Sequence, residues 1–326
     1  MQMMKERSLV IGAAGQIGIE LLMKLKELHG SENVIAADLR PPQGEGLSDI
    51  AFEHLNVLNH EQLEEVLKKH QIDTVYQLAA LLSASAEKQP DLAWDLNMNG
   101  LFHILNAARK GLVKKVFWPS SIAVFGPTTP RVKTPQFTVC EPNTIYGISK
   151  LAGERWCEYY HEKFGVDVRS LRYPGLIGHR SAPGGGTTDY AVDIFYKAID
   201  QGSYESFLSA DTRLPMMYIE EAIRATIELM SAPSDQIKIR SSYNLAGIDF
   251  TPSELANAIR KEIPDFSISY APDFRQKIAD SWPQSIDDSR SSEDWGWKTT
   301  HTVDDLVSIM VPAIRKKKLI SETSLG

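Results

Sequence analysis

Cysteine is scarce in this chain: its 326 residues hold two, Cys140 and Cys157. They form no C-x-x-C pair and no cluster with histidine, which excludes a zinc-stapled fold and a disulfide scaffold. Two thiols in a chain of this size fit a reducing, cytoplasmic setting, each read as a small buried hydrophobe. Basic residues are outnumbered, 35 Lys and Arg against 42 Asp and Glu. Nucleic-acid binding, which needs a basic face to neutralise phosphates, is not expected. The one basic run, Arg315-Lys316-Lys317-Lys318, reads as a solvated helix end. Apolar runs are short. No window approaches the ~18 residues of a membrane span, and Leu9 to Ala14, after a polar start, is too brief for a secretory leader. What is present is ordinary, with 43% hydrophobic and 24% charged residues. That composition and length fit a globular protein of two domains.

The first half alternates two periods. Short apolar runs at Ser8–Ala13, Asn33–Ala37, Phe52–Val57, Thr74–Ala79, Lys115–Pro119 and Val166–Tyr173 predict strands. Helical spacing predicts helices over Gln16–His29, Glu61–His70, Asp91–Lys110 and Thr144–Phe164. Such alternation predicts an α/β fold, a doubly wound parallel sheet whose ligands bind beyond the carboxyl ends of the strands. After Tyr173 the pattern loosens. Pro183-Gly184-Gly185-Gly186 reads as a loop. Helices are expected at Asp189–Asp200, Glu220–Met230, Pro252–Lys261 and Val303–Arg315, and short strands at Phe207–Leu208, Met216–Ile219 and Tyr243–Ala246. The expected organisation is a dinucleotide-binding domain over 1–175 and a smaller, mainly substrate-binding lobe over 176–326. A segment near 214–246 is expected to return to the first domain.

Strand one runs into Gly12-Ala13-Ala14-Gly15-Gln16-Ile17-Gly18, a G-x-x-G-x-x-G spacing. Gly12 permits a tight turn, Gly15 lets backbone approach a pyrophosphate, and Gly18 allows close packing of helix on strand. The helix N-terminus then faces the anion. Asp38 lies twenty residues beyond Gly18, at the end of strand two. There a carboxylate accepts from adenosine ribose hydroxyls and repels a 2′-phosphate, so NAD is expected rather than NADP, with Arg40 as the counter-signal.

Tyr146 and Lys150 are four apart on a predicted helix and share a face. Tyr159 and Lys163 repeat the spacing, but thirteen residues on, roughly 20 Å further along the axis and away from the ligand edge. Ser120 and Ser121 follow strand five, so Ser121, Tyr146 and Lys150 are expected to converge. Oxidising a secondary alcohol needs a base for the hydroxyl proton. Lowering a phenol from ~10 to ~7 needs about 4 kcal/mol, which one cation at ~4 Å supplies at an effective dielectric of ~20. Lys150 is the expected cation, and Ser121 is expected to hold the substrate oxygen.

With these pieces the chain resembles the extended short-chain dehydrogenase/reductase family. The likeness rests on GAAGQIG at 12–18, Asp38, Leu78-Ala79-Ala80, Asn97-Met98-Asn99-Gly100, Ser120-Ser121, Tyr146-Gly147-Ile148-Ser149-Lys150 and Arg172-Tyr173-Pro174-Gly175. The second half is similar to the short-chain L-threonine 3-dehydrogenases, relatives of UDP-galactose 4-epimerase. That likeness rests on VFGPTTPR at 124–131, PGGGTTDYAV at 183–192, LPMMYI at 214–219, SYNLA at 242–246, ADSWP at 279–283 and DWGW at 294–297. The resemblance implies NAD contacts from Gly12, Gly15, Gln16, Ile17, Asp38, Leu39, Leu78, Ala79, Ala80, Asn99, Lys150 and Tyr173. Val57 joins them ahead of Asn56, which stands where the family carries aspartate. It also implies catalysis by Tyr146, Lys150 and Ser121, and L-threonine as substrate. Gly186 and Thr187, before a helix, offer donors for a carboxylate, whereas Thr188 reads equally as a helix cap. Ser83 sits at the ligand edge. Trp282 reads as a wall over the cleft or as plain packing, and Asp189 is the candidate for an ammonium. A homodimer through the 91–110 and 144–164 helices is implied as well. A nucleotide-sugar epimerase or dehydratase on the same scaffold is the competing reading, although Ile122-Ala123 stand after Ser121 where a 4,6-dehydratase carries an acidic pair.

Overall fold

The computed structural model describes residues 6–180 and 186–323. Fourteen strands occur among these residues. They are β1 (Ser8–Ile11), β2 (Val34–Asp38), β3 (Ala51–His54), β4 (Thr74–Gln77), β5 (Lys115–Phe117), β6 (Ser120–Ser121) and β7 (Asp167–Arg169). They continue with β8 (Leu171–Tyr173), β9 (Gly175–Ile177), β10 (Ser203–Ser206), β11 (Leu214–Tyr218), β12 (Tyr243–Asn244), β13 (Ile248–Phe250) and β14 (Ser267–Tyr270). Six form one parallel sheet in the order β3-β2-β1-β4-β5-β7. The expected fold class is therefore the one observed. The order reverses between β1 and β4, and the chain leaving both strands there opens a crevice at their carboxyl ends.

The inner strands are covered on both faces, which is why β1 and β2 read as apolar runs, whereas edge strand β3 is partly exposed. Leu21, Leu22 and Leu25 of the helix Gln16–His29 and Ile223 and Leu229 of the helix Ile219–Ser231 pack on one face. Leu63 and Leu67 of His60–His70, Leu101 and Ile104 of Gly100–Arg109, and Cys157 of Ile145–Phe164 pack on the other. A third core joins Ile194, Phe195, Leu255, Ile259, Leu306 and Met310 beneath the later helices. Beyond the main sheet, β6 pairs with β8 and β8 with β12, while β9, β11 and β13 form a separate sheet.

Three expectations change. The single helix over Asp91–Lys110 is interrupted: Pro90–Trp94 and Gly100–Arg109 flank a widened turn, Asp95–Asn99. In that turn the Asn97 side chain engages both backbone groups of Leu81 and donates to Ser149 Oγ at 3.1 Å. Phe207–Leu208 is not a strand. The strand ends at Ser206, whose hydroxyl donates to Leu208 O at 2.8 Å and accepts from Leu208 N at 3.1 Å, closing a turn. The run Val166–Tyr173 divides into β7 and β8, with Ser170 between them held to Ser242 Oγ at 3.0 Å. The expected loop Pro183-Gly184-Gly185-Gly186 lies outside the described residues except for Gly186. Among the described residues no helix is long and apolar enough to cross a membrane, and no group of acidic, histidine or cysteine side chains is arranged to hold a metal.

Candidate active site

The crevice at the sheet edge has two halves that meet at Leu78 and Ala80, just beyond β4. The first half is an open groove of about 260 Å³ bounded by Gly12, Gly15, Asp38, Leu39, Val57 and Ala79, with Arg40 and Asn56 also on its wall. Backbone approach is tight there. Gly12 has φ +82°, and a Cβ on it would stand 2.6 Å from Ala79 N. A Cβ on Gly18 would stand 2.3 Å from Gly12 O, while one on Gly15 would meet Gly12 O at 3.3 Å. Side chains are thus kept off a turn that delivers the N-terminus of Gln16–His29, with Gly15 as its cap, toward the groove. Asp38 is fixed at the rim: its carboxylate accepts from Ala14 N at 3.0 Å and Leu39 N at 2.7 Å. Cβ-free backbone, helix N-terminus and fixed carboxylate together fit a dinucleotide with free ribose hydroxyls.

The second half is a cavity of about 150 Å³, partly open to solvent. One wall comes from the helix Ile145–Phe164, whose start is fixed by Thr144, its hydroxyl accepting from Gly147 N at 3.1 Å. That cap sets Tyr146 and Lys150 on the cleft side, with Ser121 of β6 beside them. Burial pushes the Tyr146 phenol up to about 12, although a hydrogen bond with Ser121 draws it down. Burial also takes Lys150 down to about 7, opposed by the fields of Cys157 and Glu154. The lysine ammonium donates to Pro119 O at 2.6 Å, lies 4.4 Å from the Trp118 ring centroid and 5.6 Å from that of Tyr146. The expected low phenol therefore does not hold in this state. The cation is spent on a carbonyl and is itself desolvated, so burial dominates both groups.

Gly186, Thr187, Thr188, Asp189 and Trp282 also line this half, as do Gln16, Ile17, Ser83, Ser120 and Tyr173. Trp282 is 5% exposed, and Ser83 opens the short helix Ser83–Lys88. The Tyr173 hydroxyl is turned away onto Thr226 Oγ1, leaving its ring toward the cleft. Thr187 is 1% exposed, and its hydroxyl finds no hydrogen-bond partner among the described residues. Two details differ from expectation. The Gly186 N–H is donated to Asp189 Oδ2 at 2.7 Å, so it is already committed within the turn. Asp189, not Thr188, stands at the N-cap position of the helix Tyr190–Gln201, and its side chain makes no capping bond there.

The structure brings together all the expected residues except Asn99. That side chain is exposed and bonds Asp95, outside both halves of the crevice. A helix places residues two apart on different sides, so only one of Asn97 and Asn99 can face the sheet, and Asn97 is the buried one. The repeated Tyr159–Lys163 spacing lies away from the cleft, with Tyr159 44% exposed among Trp156, Tyr160 and Phe164. Glu154 and Arg172 were not picked out as a pair by their sequence positions. They form a buried ion pair behind Ser120, with Arg172 Nη2 donating to Glu154 Oε2 at 2.7 Å. The available signal was the position of Glu154, one helical turn beyond Lys150 on the same face.

The similarities to known proteins agree with this geometry. A L-threonine dehydrogenase from Cupriavidus necator, described as GalE-like and in holo form, superposes with TM-score 0.92 at 53% identity, covering 94% of this chain and 99% of that one. The L-threonine dehydrogenase of Clostridium difficile superposes with TM-score 0.93 at 44% identity, covering 96% and 98%. An uncharacterized epimerase/dehydratase of Staphylococcus haemolyticus is 46% identical over 96% of this chain and 99% of its own length. The family model for NAD dependent epimerases and dehydratases matches residues 8–246. A glycine cradle, a fixed ribose-side carboxylate and a match running through the whole dinucleotide unit lead to one conclusion: the chain belongs to the NAD-dependent epimerase/dehydratase family.

Proposed function

We propose that the protein oxidises the β-hydroxyl of L-threonine, giving 2-amino-3-oxobutanoate and NADH. The observation that carries this reading is the lining of the second half of the crevice. It brings together a phenol, a serine hydroxyl and a threonine whose buried hydroxyl has no hydrogen-bond partner among the described residues. This is a site for a small polar substrate with an alcohol and an acceptor group. The full-length likeness to L-threonine dehydrogenases supports the same substrate.

In this reading Gly12, Gly15, Gln16, Ile17, Asp38, Leu39, Val57, Leu78, Ala79, Ala80, Lys150 and Tyr173 hold NAD. When bound, its oxidised nicotinamide supplies the hydride acceptor. Ser121 hydrogen-bonds the substrate oxygen and Tyr146 takes the hydroxyl proton as the β-hydrogen leaves with its electron pair. Lys150, as an ammonium, stabilises the phenolate. Thr187 donates to the substrate carboxylate, Ser83 borders the substrate, and Trp282 excludes water above it. Residues through Tyr173 serve mainly the nucleotide, and the later lobe mainly the substrate. Cys140 and Cys157, both unpaired, suit a reducing cytoplasm.

The test is NADH formation across a panel of β-hydroxy amino acids and nucleotide sugars. L-Threonine is expected to give the highest kcat/KM. Turnover of a UDP-hexose with none of L-threonine reverses the assignment in favour of an epimerase. Tyr146→Phe is expected to bind NADH normally and to lose about 10²–10⁴-fold in kcat, the usual contribution of a positioned base. Near-normal turnover by this variant removes Tyr146 from that role.

A further inference from the structure

Four consecutive residues, Trp118 to Ser121, are matched one by one against a single face of the helix Ile145–Phe164. The Trp118 ring packs where Gly153 has no side chain, and a Cβ there would come within 2.3 Å of it. Pro119 O accepts from Lys150 Nζ at 2.6 Å. Ser120 Oγ donates to Glu154 Oε1 at 2.6 Å. Ser121 lies with Tyr146 on the cleft lining, near enough to draw its phenol down. Positions 146, 150, 153 and 154 follow the helical repeat, so the segment that carries Ser121 is zipped to the helix that carries Tyr146 and Lys150.

Glu154 does not itself line the cleft, and it is held rigidly. It is fully buried, and Arg172 of β8 grips it with two bonds, from Nε at 2.8 Å and Nη2 at 2.7 Å. Arg172 is anchored in turn by Gln136 O at 3.1 Å and Asn244 Oδ1 at 3.0 Å. A buried ion pair contributes little net stability over apolar packing of the same shape. Its use here is geometric: a fixed acceptor at Oε1 sets where Ser120, and hence its neighbour on β6, can lie.

We propose that Glu154 is a positioning residue for the reaction, holding Ser121 beside Tyr146 through Ser120. The proposal rests on the dehydrogenase reading above. The titratable and charged groups around the pair are Tyr146, Glu154 and Cys157 on the same helix, Arg172 and Tyr173 on β8, Cys140 in the loop before the helix, and Asp189 on the cleft lining. Replacing Glu154 by glutamine removes an anion near Lys150 and leaves Arg172 uncompensated. Both changes favour loss of a proton from the Tyr146–Lys150 pair.

The experiment compares wild type, Ser120→Ala and Glu154→Gln by kcat and KM for L-threonine, NADH affinity by fluorescence, thermal midpoint, and kcat/KM against pH. Ser120→Ala is expected to keep NADH affinity and to lose about tenfold in kcat, because a small misplacement of a reacting group is costly. Glu154→Gln is expected to lower kcat and to move the acid limb of kcat/KM down by about one pH unit. Wild-type kcat in Ser120→Ala, or an unmoved acid limb in Glu154→Gln, overturns the proposal. So does a fall in kcat that only follows lost NADH binding in both variants. Should Glu154→Gln not fold, Ser120→Ala decides alone. Inactivity of the wild type toward L-threonine counts against the dehydrogenase reading. Activity in the wild type with unchanged variants counts against Glu154 only.

Discussion

Tyr146 and Lys150 are treated as one titrating unit, because Lys150 Nζ lies 5.6 Å from the Tyr146 ring centroid and burial dominates both groups. Burial raises the phenol to about 12 and lowers the ammonium to about 7. The pair must shed one proton before a phenolate beside an ammonium can exist. The first proton leaves near the lysine value. In the proposed reaction kcat/KM for L-threonine is therefore expected to rise as pH increases through about 7. A profile that is flat from pH 5 to 9 contradicts this. At the nucleotide end, Asp38 holds the turn through Ala14 and Leu39 as well as facing the groove. Asp38→Ala is expected to weaken NAD binding by about tenfold, as loss of a charged hydrogen-bond acceptor does, and to narrow the preference over NADP, with Arg40 then unopposed. Titration of both cofactors into the variant measures it, and an unchanged NAD to NADP ratio argues against the assigned ribose contact.

At the scale of elements, caps and close approaches decide where helices begin. Thr144 starts the helix that bears Tyr146, and Thr251 starts Pro252–Glu262 with a complete capping box. In that box Glu254 N donates to Thr251 Oγ1 at 3.1 Å and Thr251 N donates to Glu254 Oε2 at 2.9 Å. The second helix lies in the later lobe, away from the crevice. Thr251→Ala is expected to cost about 1 kcal/mol in urea unfolding and to leave kcat unchanged. A change in kcat larger than twofold would tie this helix to the cleft. Sequence periodicity located most elements, because amphipathic spacing and capping are local properties. It failed at Asp95–Asn99, where the Asn97 side chain bonds the backbone of distant Leu81, and at Phe207–Leu208, where the Ser206 hydroxyl closes a local turn that hydrophobic spacing does not register.

For the whole molecule, the helices Pro90–Trp94 and Ile145–Phe164 present large apolar side chains to solvent. Leu92 is 46% exposed, Trp94 42%, Ile148 44%, Trp156 39%, Tyr159 44% and Phe164 43%. A surface of this kind is more than scattered single hydrophobes require. We read it as the face of a homodimer, the arrangement that the family likeness implied. Light scattering is expected to give twice the 36.4 kDa of one chain, and Trp156→Glu to shift the mass toward a monomer. A wild-type mass of one chain at micromolar concentration removes the dimer.

The residue types at the crevice were legible early. The glycine spacing, Asp38 and the Tyr146–Lys150 pair carry their chemistry in short windows, because a turn, a strand end and one helical turn are each fixed by neighbours in the chain. Helix length also separated Tyr146 from its repeat at Tyr159. Whether Asn97 or Asn99 is the buried one, and that Glu154 finds Arg172 behind Ser120, are set by packing between segments distant in sequence. The sequence by itself determined the alternation of strands and helices and the set of reactive groups, since these follow from local periodicity and side-chain chemistry. Only the tertiary structure decided which groups share a low-dielectric cleft, because burial and the fields that shift protonation exist only once distant segments have closed over one another.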